Sequence, residues 1–167
     1  MKPFLIFLID DDPIFLRVLD QQLKQTKYLR HYPREVKSFS TGETCLLHLN
    51  ENPDIVILDY KLNAILPDAE NGFDILNKIK SINSNISVII LSVQDNLAIA
   101  DTLHEAGAEE YLIKNENSFS RINKTIKNVF DRAILLQKVK KDKFKNTVYK
   151  ITILVLLLVI LFLYTKI

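Results

Sequence analysis

Three consecutive carboxylates, Asp10, Asp11 and Asp12, follow the apolar run "FLIFLI", and a fourth, Asp59, closes the run "DIVILD". A hydroxyl, Ser92, ends "ISVIILS", and an ammonium, Lys114, ends "EEYLIK". Clustered carboxylates repel one another, so they persist only with a cation among them or with some of them protonated. Hard oxygen donors select Mg²⁺, Ca²⁺ or Mn²⁺. A carboxylate beside a bound Mg²⁺ can attack phosphorus and form an aspartyl-phosphate. Ser and Lys would then bind the phosphoryl oxygens and neutralise charge in the transition state. The competing explanation is that Asp10 to Asp12 cap a helix starting at Pro13, but one acid suffices for a cap.

The elements that must position these residues alternate along the chain. Phe4–Ile9 reads as a buried strand, and Pro13 to about Lys27 as a helix with Phe15, Leu16, Leu19 and Leu23 on its apolar stripe. "REVKSFS" is a weaker strand, and Gly42–Asn50 a short helix. "DIVILDY" is a strand, Gly72–Ser81 a helix, "ISVIILS" a strand, Asn96–Ala106 a helix that stops at Gly107, and "EEYLIK" the last strand. A long helix starts at Ser118. Fully apolar strands alternating with helices predict an α/β domain, a doubly wound five-stranded parallel sheet covered on both faces. In such a sheet ligands bind beyond the carboxyl ends of the strands. Asp10, Asp59, Ser92 and Lys114 all fall at that edge.

The sequence resembles a response-regulator receiver domain of two-component signalling. "LIDDDPIF", "PDIVILDYKL", "NGFDIL", "VIILSVQD" and "AGAEEYLIKN" carry the resemblance, which covers residues 4 to about 130. It implies a flavodoxin-like strand order, 2-1-3-4-5. It implies that Asp10 and Asp11 help to hold Mg²⁺, that Asp59 is the phosphoacceptor and a metal ligand, and that Lys61 lends the metal its backbone carbonyl. Ser92 matches the hydroxyl of the switch, Tyr111 the aromatic switch residue, and Lys114 the phosphate-contacting lysine. The partner implied is a sensor histidine kinase. The domain would not be an enzyme on outside substrates, but would catalyse its own phosphorylation and dephosphorylation. Two features depart from the family. Asn115 stands where proline usually follows the lysine, so a trans bond is expected there. "KLNAILPDAENG" is about five residues longer than the family's common spacing, a surface insertion or a rim over the site.

Charge divides the chain. Residues 1–120 carry 11 Lys/Arg against 18 Asp/Glu, whereas 121–150 carry 10 against 2. An acidic body followed by a basic segment implies two different surroundings. "ITILVLLLVILFLYT" then contains no charge and follows the lysine-rich "KVKKDKFKNTVYK". The expected organisation is a receiver domain over 1–130, a basic helical linker over 131–147 and a transmembrane tail over 148–167. That places the protein at the inner membrane with the receiver in the cytoplasm; a helix docked on a partner is the alternative. The N-terminus does not read as a signal peptide, since its apolar run is short and ends in acids. Cys45 is alone and reads as core, and His31, His48 and His104 have no ligand spacing. Gly42, Gly72 and Gly107 are the only glycines, too few for a nucleotide-binding loop. No helix-turn-helix is legible, so no nucleic-acid partner is expected and the readout falls to an unknown downstream protein. Two other functions compete: a phosphorylation-independent, membrane-anchored interaction module, and an aspartate-based phosphatase. The phosphatase lacks the acid it needs two residues beyond Asp59, where Lys61 stands.

Overall fold

The computed structural model describes residues 3–26, 33–62 and 70–164. Five strands, β1 (Phe4–Ile9), β2 (Arg34–Phe39), β3 (Ile55–Asp59), β4 (Ser87–Ser92) and β5 (Glu110–Ile113), form one sheet. Its order is β2-β1-β3-β4-β5, every pair is parallel, and it is the flavodoxin-like order expected. The helices are α1 (Pro13–Gln25), α2 (Gly42–Leu46), α3 (Gly72–Ile82), α4 (Leu97–Glu105) and α5 (Ser118–Tyr164).

The central strands β1, β3 and β4 are buried at every position. That is why they are continuous apolar runs: each has a covered surface on both sides. Leu5, Phe7, Ile9, Val56, Leu58, Val88 and Ile90 face one core with Cys45, Ile75, Leu76, Ile79 and Leu103. Ile6, Leu8, Ile55, Ile57 and Ile89, alternating with them, are also buried. On that side Phe4 meets Phe130 of α5 edge-on, with ring centroids 5.2 Å apart. Each such side chain contributes roughly 1.5–3 kcal/mol on burial. The edge strand β2 is only half-buried, which explains its weaker pattern.

The expected helix over 42–50 is shorter. Thr41 caps α2 through Thr44, and the chain then tightens into a 3₁₀ turn over Leu49–Glu51. His48 N already reaches back only three residues, to Cys45 O at 2.9 Å. The 114–115 bond is trans, no cis peptide occurring among the described residues. The long connection after Asp59 lies largely outside them, at 63–69.

The chain divides into two units, residues 1–130 and 131–167. The described part of the second is helix, and its side chains are mostly exposed. Among the described residues no helix is long and apolar enough to cross a membrane. The transmembrane span expected over 148–167 is therefore not shown. The charge-free run Ile151–Thr165 is 15 residues, about 22 Å of helix, short of a hydrocarbon core of roughly 30 Å. Residues 165–167 lie outside the described set.

Candidate functional site

The acidic triplet divides its labour. Asp12 is the cap of α1: its Oδ1 accepts hydrogen bonds from Ile14 N at 2.8 Å and Phe15 N at 3.2 Å. Pro13 follows at the first helical position, where its missing N–H costs nothing. Asp10 lies one residue beyond β1 and donates its backbone N–H to Phe39 O at 3.2 Å. One carboxylate oxygen of Asp10 accepts from Asp12 N at 3.0 Å. The other receives the Lys114 ammonium at 2.6 Å. Asp10 and Asp11 are both buried.

Asp59 ends β3, held in register because Tyr60 N donates to Leu91 O at 2.7 Å. Gly72, opening α3, donates its N–H to Tyr60 O at 2.9 Å. A Cβ at Gly72 would lie 2.6 Å from Asp59 O, so only glycine allows this approach. Asp10, Asp11 and Asp59 each offer an oxygen, all within 4.8 Å of one another. Three hard oxygen donors at this spacing fit a small divalent cation such as Mg²⁺.

Lys114 follows β5, its N–H bonded to Ser92 O at 2.7 Å. Its ammonium is 2.6 Å from Asp10 and 3.0 Å from Asp59 Oδ1, with side chains only 15, 3 and 8% exposed. Burial, then the charge of Asp10, pushes Asp59 up to about 6 against the pull of Lys114. Asp10 is also raised, burial outweighing its bond to Lys114. Burial disfavours the Lys114 ammonium, but Asp10 and Asp59 together hold its pKa above the usual value. The cluster thus carries more negative charge than one ammonium balances. A buried nucleophilic carboxylate, an ammonium beside it and room for a cation are the groups that phosphoryl transfer to a carboxylate requires.

The other expected residues are arranged differently. Ser92 is buried at the end of β4, where its Oγ accepts from Gln94 N at 3.1 Å. Tyr111 is half-buried and donates its hydroxyl to Gln94 O. Gln94 therefore joins the two through its backbone, a link that no residue type announces. The Lys61 side chain is exposed, so any role at the site falls to its main chain. Phe15 was expected on the core stripe of α1. Leu19 and Leu23 are buried there, but Phe15 is only partly covered. Its ring instead lies 4.4 Å from Lys114 Nζ and stacks on Phe119, with centroids 6.1 Å apart. Asn115, in place of proline, forms a turn: its side chain accepts from Asn117 N at 3.0 Å and its carbonyl from Ser118 N at 3.0 Å.

Residues 6–127 match the model of the response regulator receiver domain. The chain is 34% identical over 110 residues to a DNA-binding transcriptional regulator, NtrC, from Bradyrhizobium, a match covering 65% of this chain and 21% of that protein. The match thus spans about a fifth of that relative's length. A response regulator receiver domain protein from Clostridium thermocellum is similar in structure, with a TM-score of 0.65 and 30% identity over 79% of this chain and 98% of that one. The signal receiver domain of a protein from Vibrio parahaemolyticus gives 0.69 and 26%, covering 83 and 98%. With its sheet order, its buried acids and a family match over most of its length, the chain belongs to the response regulator receiver domains.

Proposed function

We propose that this chain is a response regulator that accepts a phosphoryl group from a sensor histidine kinase onto Asp59. The observation that carries the reading is the buried contact of one ammonium, Lys114, with both Asp10 and Asp59. An Asp59 oxygen attacks the phosphorus of a phosphohistidine, the P–N bond breaks, and the imidazole leaves. Lys114 stays with the transferred group and pairs with its oxygens. Asp10, Asp11, Asp59 and the Lys61 carbonyl would hold Mg²⁺, which supplies charge neutralisation across the phosphoryl oxygens. The added charge on Asp59 draws Ser92 and Lys114 towards it, and Tyr111 leaves Gln94 and turns inward. The surface of α4, β5 and the start of α5 changes, and a protein partner reads that change.

Acetyl phosphate tests the reading directly. Wild-type protein should be labelled in a Mg²⁺-dependent manner, and Asp59→Asn, isosteric but a poor nucleophile, should not. Undiminished labelling of that variant sinks the assignment. The alternative, a phosphorylation-independent module, expects no labelling of wild type under any condition. We further propose that the C-terminal segment tethers the receiver to the inner membrane, with the domain in the cytoplasm. Support comes from the sequence, in the lysines at 138–150 followed by the charge-free run.

A further inference from the structure

We propose that Phe15 is a positioning residue for Lys114, its ring giving the ammonium a seat that leaves the carboxylates to cation and phosphoryl group. The proposal rests on the phosphoryl-accepting reading of Asp59. In the structure the Lys114 ammonium occupies Asp10 and Asp59. The same two carboxylates belong to the cluster that fits a divalent cation. An ammonium and a divalent cation on one carboxylate repel each other, so loading the site forces Lys114 away from Asp10. The lysine must nevertheless remain beside Asp59 to meet the incoming oxygens, and its side chain is too enclosed to wait in solvent.

The Phe15 ring, 4.4 Å from Nζ, meets that need. An aromatic face attracts a cation through its quadrupole and claims no directional hydrogen bond, so the ammonium can slide across it. It competes neither for metal nor for phosphate. The ring is itself fixed. Asp12 caps the Phe15 backbone, and Phe119 stacks on the ring at 25° between planes. Phe119 is the second residue of α5, whose first residue, Ser118, is tied to Asn115 O by both its N–H and its hydroxyl. A short segment after β5 thus carries the ammonium and the second ring, while α1 brings the first. Packing alone does not require a phenyl here, because α1 is anchored in the core by Leu19 and Leu23.

The test uses the full-length protein with acetyl phosphate as donor and beryllofluoride as a phosphoryl stand-in. Phe15→Leu should slow labelling by a few-fold to roughly 30-fold, the range of a desolvated cation–π contact. It should weaken Mg²⁺ and beryllofluoride binding in parallel, because an ammonium without its second seat competes for Asp10 and Asp59. Phe15→Trp should restore most of the rate, and Phe15→Met serves as a second variant without a π face. In NMR spectra the Lys114 ε-methylene protons should show an upfield ring-current displacement in wild type and Phe15→Trp, and lose it in Phe15→Leu. Wild-type labelling by Phe15→Leu, with Asp59→Asn unlabelled, overturns the proposal and leaves the phosphoacceptor reading standing. A Phe15→Trp variant as slow as Phe15→Leu also overturns it, since shape would then matter and the π face would not. Undiminished labelling of Asp59→Asn overturns the reading and the proposal together.

Discussion

Asp59 bears an electrostatic burden in the absence of metal: burial and the charge of Asp10 hold its pKa at about 6, above the ordinary 3.8. In the unfolded chain it loses its proton first, so between about pH 4 and pH 6 the folded state binds more protons and stability falls as pH rises. A carboxyl moved that far corresponds to roughly 3 kcal/mol. Asp59→Asn removes the burden, so in EDTA at pH 8 it should be more stable than wild type by about 1–3 kcal/mol. At pH 4 the gap should close; urea titrations at the two pH values measure it, and a gap independent of pH contradicts the account. Asp10→Ala or Asp11→Ala should weaken Mg²⁺ binding and suppress labelling, because each removes a donor from the cluster. A Mg²⁺ titration unchanged in both variants would reduce the triplet to a helix cap. The acids and Lys114 were legible in the sequence because a charge directly after an apolar strand has one place to go, the sheet edge. Phe15 and Gln94 were not. A phenylalanine at helical spacing reads as core until the placement of α1 against its neighbours is known, and Gln94 acts through its main chain.

At the scale of elements, the backbone of Asp59 is held partly by a helix start. A Cβ on Gly72 would meet Asp59 O at 2.6 Å and Tyr60 Cα at 2.7 Å, both main chain and unable to yield cheaply. Gly72→Ala should therefore destabilise the domain by about 1–3 kcal/mol and slow labelling by displacing β3's end. Gly107→Ala is the informative comparison. Gly107 follows α4 at φ +93°, with atoms of the Lys80 side chain nearest to a Cβ there at 3.4 Å or more, so the left-handed backbone alone should cost about 1–2 kcal/mol without altering labelling. Equal labelling defects in the two would mean that global stability, and not the Gly72 contact, sets the rate. The buried strands were readable because β1, β3 and β4 are apolar at nearly every position. The single helix expected over 42–50 was not resolved into its α and 3₁₀ parts, since the tightening at His48 depends on how Leu49 reaches the core. The turn at Asn115 was unreadable for a related reason: the family's proline predicts a geometry, and its absence predicts only a trans bond.

At the scale of the whole molecule, the chain joins an acidic receiver to a basic and then apolar helix. Among the described residues beyond 150 the helix carries no charge, with Ile151, Leu154, Leu156, Leu158 and Leu161 each more than half exposed. A helix of that kind does not match an interfacial helix, which keeps one polar face in water. Its charge-free stretch in the sequence, about 22 Å if helical throughout, is shorter than a hydrocarbon core; were it to span, the flanking lysines of the sequence would have to reach the two surfaces. The lysines at 138–145 would lie beside anionic headgroups, each near the surface adding about 1 kcal/mol. Full-length protein should therefore partition into vesicles containing phosphatidylserine or phosphatidylglycerol, and only weakly into neutral ones. Once bound, it should resist both high salt and carbonate if the tail spans. Release by salt alone would assign the binding to the lysines; release by carbonate would assign the tail to the surface or to a protein partner. Deleting 148–167 should abolish salt-resistant vesicle binding, leaving at most the salt-sensitive attraction of the lysines, and should leave labelling of Asp59 by acetyl phosphate within about twofold, because residues 1–130 already form one compact unit with the acids inside it. A truncated protein that folds but no longer accepts phosphate would show that the tail belongs to the receiver's own structure and is not a tether.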